Sequence, residues 1–188
     1  MYFKKLVGKK CFLSPINLND AEKYTEWLND LEVTYNLGPL YGGILNVERE
    51  QEILKDLSQK HNYGIVDMET NKLIGNCGFL EIDNLNQTAE IGIFIGNKNF
   101  WNNGYGTEAM ILLMDYGYKA LNLHNILLRV FSFNERAIKC YENIGFNIIG
   151  TRRESLKRGK NVFDTIYMDM LYNEFYDKNS EIIGKSKI

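Results

Sequence analysis

Apolar residues recur along this chain with two periods, and each change of period marks a new element. KCFLSPI (residues 10–16) is a short apolar run that reads as a strand. Ala21, Tyr24, Trp27 and Leu28 then fall at helical spacing, with Asn19 and Glu22 placed as a capping box at that helix's start. Ile53, Leu54 and Leu57 form the apolar side of a second helix, running from about Val47 to Lys60. Between the helices lie Leu31–Leu37 and the glycine–proline run GPLYGG (Gly38–Gly43), which reads as a loop. Its aromatic and polar composition suits a segment that covers a substrate, and is equally common in loops without function.

Three strand-like runs follow in series: Asn62–Met68, Lys72–Asp83 and Thr88–Gly96, joined by the turns Glu69–Asn71 and Asn84–Gln87. Such short links make an antiparallel meander. The connection NKNFWNN leads to a helix opening at GYGTEAM and running to about Ala120, then to a strand, Asn125–Ser132. Asn134 caps a helix that ends near Asn143 before Gly145. Two long strands, Phe146–Lys157 and Val162–Tyr172, complete the sheet around the turn Arg158–Asn161. The predicted order is β-α-α-β-β-β-α-β-α-β-β: an α/β (α+β) fold with a mixed central sheet of about seven strands flanked by helices. The strands on either side of the GYGTEAM helix should run parallel. A single domain over residues 1–176 is expected, followed by a polar, lysine-rich, frayed tail over 177–188.

Composition narrows the functional classes. The 188 residues are 45% hydrophobic, enough for a sizeable core, and carry 22 basic against 24 acidic side chains. That balance argues against a nucleic-acid binder. The three cysteines, Cys11, Cys77 and Cys140, form no pattern and suit a reducing cytoplasm. His61 and His124 lie far apart, so no metal site is expected. No apolar run is long enough for a membrane span or a signal peptide's core.

The informative segment is Trp101-Asn102-Asn103-Gly104-Tyr105-Gly106-Thr107-Glu108-Ala109, set between a strand and a helix. Glycines there allow a tight turn, and a helix start presents unpaired N–H groups and partial positive charge, the ingredients of a phosphate cradle. A Walker loop would need Gly-Lys-Ser/Thr, and Gly106 is followed by Thr107-Glu108. A dinucleotide fingerprint matches Gly104, Gly106 and Ala109 formally. However, a long connection precedes it and the next strand ends in Val130-Phe131-Ser132, with no acid for a ribose.

A third reading gathers more of the chain. AEIGIFIG (Ala89–Gly96), FWNNGYGTEAM (Phe100–Met110), LNLHNILLRVFSFNERAIKCYENIGF (Leu121–Phe146) and the terminal hairpin resemble the GNAT acetyltransferases. Within them, they resemble the branch of RimJ/RimL-type and spermidine N-acetyltransferases. The superfamily loop is Gln/Arg-x-x-Gly-x-Gly/Ala, and Trp101 at its first position is familiar in that branch. The resemblance implies acetyl-CoA as cofactor. The amides of Asn102, Asn103, Gly104, Tyr105, Gly106 and Thr107, after Trp101, would wrap the pyrophosphate. Phe94, Ile95 and Gly96 would pair with the pantetheine arm where their strand splays from Asn125–Ser132, and Asn134 would contact the coenzyme.

The resemblance implies direct attack of an amine on the thioester. Amines are mostly protonated at neutral pH, so a base must take a proton, while the leaving thiolate benefits from an acid. Tyr141, seven residues after Asn134 and so on about the same helix face, matches the family tyrosine near the sulfur; the other reading is a core aromatic. Glu90 matches a frequent family glutamate and is the candidate base, directly or through water, or else an exposed strand charge or an ion-pair partner. Glu81 and Asp83 are weaker candidates, and Cys140 reads as packing. Glu32, Tyr35 and Tyr41, with Glu48 and Glu52 beside them, fall where the family builds its acceptor site, though Glu48 and Glu52 also suit a helix start. Expected acceptors are a polyamine-like or other small primary amine or a protein N-terminus. By resemblance alone a homodimer is allowed. The rival reading is a non-catalytic acyl-CoA-binding sensor or scaffold.

Overall fold

The computed structural model describes residues 1–183. Its elements run β1 (Leu6–Val7), β2 (Cys11–Pro15), α1 (Ala21–Leu28), α2 (Leu31–Thr34), α3 (Val47–Leu57), β3 (Asn62–Asp67), β4 (Leu73–Asp83) and β5 (Thr88–Ile95). They continue with α4 (Tyr105–Ala120), β6 (Asn125–Phe131), α5 (Glu135–Ile144), β7 (Asn147–Arg158), β8 (Asn161–Leu171) and α6 (Tyr172–Ile183). The strands form one mixed sheet in the order β1-β2-β3-β4-β5-β6-β8-β7. β2, β3 and β4 pair antiparallel, and so do β6, β8 and β7. β5 and β6 are parallel, as a helical crossover requires.

The sheet has eight strands rather than seven because Leu6 and Val7 pair with Leu13 and Phe12. Two residues are too few to show a period. The cap expected at Asn19 lies at Asn17. The chain enters α1 through a 3₁₀ turn, Leu18–Asp20, and the Asn17 side chain accepts from the Asn19 amide. A one-turn helix, α2, forms within Leu31–Leu37, where the sequence assigned no element, its start held by the Asp30 side chain accepting from the Glu32 amide. The segment read as a frayed tail is helical through Ile183. Phe175 and Asn179 are buried, and the Asn179 amide group donates to the carbonyls of Ile144 and Phe175. The rest of that segment, 184–188, lies outside the described residues.

Two compact units share the chain. Among the described residues, the first holds Met1–Phe79 and Ile93–Leu113, and the second Leu80–Gly92 and Met114–Ile183, so β4, β5 and α4 each belong partly to both. The first unit's core joins Phe12, Val66 and Leu73 from the sheet to Ala21, Tyr24, Trp27, Val33 and Leu54 from the helices, with Phe94 and Trp101 at its margin. The second unit buries Ile126, Leu128, Val130, Met168 and Met170 on its strands. Tyr118, Ile144 and Phe175 are buried in the same unit, and the Tyr118 hydroxyl donates to the Met170 carbonyl.

Candidate active site

In the first unit the glycine segment forms a turned loop that opens α4. Asn102 and Gly104 both take left-handed backbone, with φ of 59° and 80°. The first intrahelical bond runs from the Glu108 amide to the Gly104 carbonyl at 3.1 Å. The Tyr105 and Gly106 amides precede it, so the helix provides no carbonyl for them. A Cβ on Gly106 would meet nothing nearer than Ile93 Cδ1 at 3.9 Å, an ordinary van der Waals contact. The Tyr105 side chain is engaged elsewhere. Its hydroxyl donates to Asp67 at 2.8 Å, which helps push its pKa up to about 12. Its part in the loop is therefore its backbone. The Asn103 side chain donates to the Asn99 carbonyl.

The end of β5 lies in the same unit. The Trp101 indole N–H donates to the Ile95 carbonyl at 2.7 Å. The Gly96 amide donates to the Ile74 carbonyl at 2.9 Å. One backbone group each of Ile95 and Gly96 is thus committed within the protein. A Cβ on Gly96 would collide with the Trp27 indole, and one on Gly75 with the Phe94 carbonyl. Close backbone approach explains both glycines. β5 pairs with β6 only over Thr88–Glu90 against Asn125–Leu127, although β5 continues to Ile95 and β6 to Phe131.

The second unit holds Glu90, Asn134 and Tyr141. The Asn134 side chain accepts from the Ala137 amide at 3.2 Å and caps α5. Gly145 ends that helix at φ 119°. Tyr141 is half-buried, its ring edge-on to Phe146 at 6.0 Å, and burial raises its phenol pKa so that it keeps its proton at neutral pH. Glu90 accepts from the Arg129 side chain at 2.7 Å. The ion pair weighed for it is present. Asp83 accepts from the Leu85 and Asn86 amides and holds the β4–β5 turn, and Glu81 is exposed. Cys140 is half-buried and forms no disulfide among the described residues.

The acceptor candidates lie in the first unit. Tyr35 and Tyr41 meet edge to face at 5.6 Å. Glu32 and Asp30 both grip the Lys98 ammonium at 2.8 Å, an arrangement the sequence spacing does not announce. Glu48 and Glu52 are exposed on α3, where Glu52 pairs with Arg49. Sequence reasoning also passed over Glu50. It is 1% exposed, its Oε2 is unpartnered among the described residues, and burial pushes its pKa up to about 7. Its position on the inward side of α3, four residues before Leu54, was the available signal.

The acetyltransferase (GNAT) domain profile matches residues 10–147. The chain belongs to the GNAT acetyltransferase family. The GNAT chain is 31% identical over 175 residues to the uncharacterized N-acetyltransferase p20 of Bacillus licheniformis, covering 90% of this chain and 97% of p20. It is 31% identical over 111 residues to spermidine N(1)-acetyltransferase of Escherichia coli, covering 55% of this chain and 59% of that enzyme. The fold matches that of spermidine N-acetyltransferase from Vibrio cholerae, solved with CoA and spermine. The TM-score is 0.79 at 21% identity, over 88% of this chain and 98% of that one. Within this GNAT domain no group of three or more metal-ligating side chains occurs among the described residues, and no helix there is long and apolar enough to cross a membrane.

Proposed function

We propose that this protein is an acetyl-CoA-dependent N-acetyltransferase of the branch near the RimJ/RimL-type and spermidine enzymes, acting on a small cationic amine of polyamine type. The observation that carries the reading is the loop of Asn102–Thr107, whose left-handed turns at Asn102 and Gly104 lead into helix-start amides at Tyr105 and Gly106 that have no carbonyl from the helix. Phe94 and its strand neighbours would receive the pantetheine arm, with Trp101 bracing Ile95. Asn134 would meet the coenzyme through the side-chain amide nitrogen while its oxygen caps α5.

Bound acetyl-CoA supplies the thioester that the amine attacks. Tyr141, protonated at working pH, would donate to the departing sulfur. Glu90, with one oxygen on Arg129, would take the amine's proton through water at its other oxygen. Glu32 with Asp30, and the Tyr35–Tyr41 pair, would receive the acceptor. The two carboxylates already converge on one primary ammonium, that of Lys98. The similarity to spermidine N(1)-acetyltransferase supports the same choice.

The test is thiol release from acetyl-CoA with purified protein and a panel of polyamines, aminoglycosides, amino-sugars and peptides with varied N-termini. Release with polyamines above the other classes is expected. Release only with peptides would overturn the acceptor, and acetyl-CoA binding with no release for any amine would favour the sensor. No acetyl-CoA binding would overturn the whole reading.

A further inference from the structure

The turn between β1 and β2, Gly8-Lys9-Lys10, docks on the start of α4. The Glu108 carboxylate accepts from the backbone amides of Lys9, Lys10 and Cys11 at 3.0, 2.8 and 2.8 Å. A Cβ on Gly8 would come within 2.6 Å of that carboxylate, so only glycine leaves room for the clasp. Three backbone amides hydrogen-bond that carboxylate and stabilise its charge at the helix start. The clasp also fixes Lys10. Its ammonium donates to the Asn103 carbonyl at 3.0 Å and would lie 4.0 Å from a Cβ on Gly104. The side chain is exposed, and an ammonium has two further donors to give.

We propose that Lys10 is a phosphate-binding residue of the coenzyme site, its ammonium contacting the pyrophosphate cradled by the Asn102–Thr107 loop, and that Glu108 is the positioning residue that holds it there. This rests on the acetyl-CoA reading above. Neither residue belongs to the glycine pattern, and the two are brought together only by folding.

The experiment measures Kd and KM for acetyl-CoA, acetyl-dephospho-CoA and S-acetylpantetheine with wild type and Lys10→Met. Wild type must first bind acetyl-CoA. If it does not, the coenzyme reading itself falls. Given binding, Lys10→Met should weaken both phosphate-bearing donors about tenfold, change S-acetylpantetheine less than about twofold, and leave kcat intact. The salt dependence of binding should become shallower, and Lys10→Arg should restore most of the affinity. Unchanged affinity, an equal loss with S-acetylpantetheine, or a loss confined to the donor bearing the 3′-phosphate would each overturn the assignment. For Glu108, the KM rise in Glu108→Gln should vanish when Lys10 is already Met. An undiminished rise would make its role merely structural and overturn the positioning claim.

Discussion

In the proposed site, the coenzyme loop of the first unit rests on backbone, whereas the roles given to the second unit rest on side chains. In the first, the glycine loop and the end of β5 depend on Gly75, Gly96 and Gly104. Two of these are hemmed in by the Phe94 carbonyl and the Trp27 indole, and the third is held at φ 80°. In the second, α5 is an ordinary capped helix, and its proposed chemistry rests on single polar groups of Asn134 and Tyr141. A backbone-built site cannot lose a residue without losing local structure. A site built from side chains can lose its chemistry and keep its fold. The two units should therefore fail differently under substitution.

The sharpest contrast is Gly75→Ala. Its methyl must displace the β5 backbone, and the expected loss is about 3 kcal/mol or more in denaturant unfolding, with the variant expressing poorly. If it unfolds like wild type, the first unit is not backbone-limited. Tyr141→Phe should do the opposite. We expect kcat to fall about 100-fold, with the melting temperature within about 2 °C of wild type. An unchanged kcat would leave Tyr141 as a core aromatic against Phe146.

Glu50 tests the comparison from within the first unit, because there a side chain rather than backbone carries strain. Its carboxyl pKa is raised to about 7 by burial, so the protonated form is the one the fold favours. Stability from this group is full below its unfolded pKa near 4.5 and is lost as pH rises through about 7. Wild type should lose on the order of 2 kcal/mol across that window, and Glu50→Gln should flatten the profile. A wild-type profile already flat there would remove Glu50 from the account. The smallest effect belongs to Lys98→Met, which frees Asp30 and Glu32 on the surface. The melting temperature should not change, and KM for polyamines should fall about threefold. An unchanged KM would remove those carboxylates from the acceptor site.

Most of the architecture was legible because it follows from local physics. Period-two runs made strands, period-3.6 runs made α1, α3, α4 and α5, and the βαβ crossover dictated parallel pairing of β5 with β6. The misses share a cause. β1 is too short to carry a period and exists only by pairing with β2. α6 is polar in sequence yet helical, because Phe175 and Asn179 find a buried place that no local pattern declares.

Of the candidate site, the loop and its glycines could be read directly, because positive φ and close approach leave a residue-type signature. The engagement of Ile95 by Trp101, of Glu90 by Arg129, and of Glu32 by Lys98 could not. Partners 6, 39 and 66 positions apart leave no spacing rule to follow. By itself, then, the sequence determined which segments are strands and helices and where a glycine loop opens a helix, since these depend on residues adjacent along the chain. Only the tertiary structure decided which charges are neutralised, which carbonyls are taken, and that Glu108 and Lys10 meet. Those depend on residues that folding alone brings within hydrogen-bonding reach.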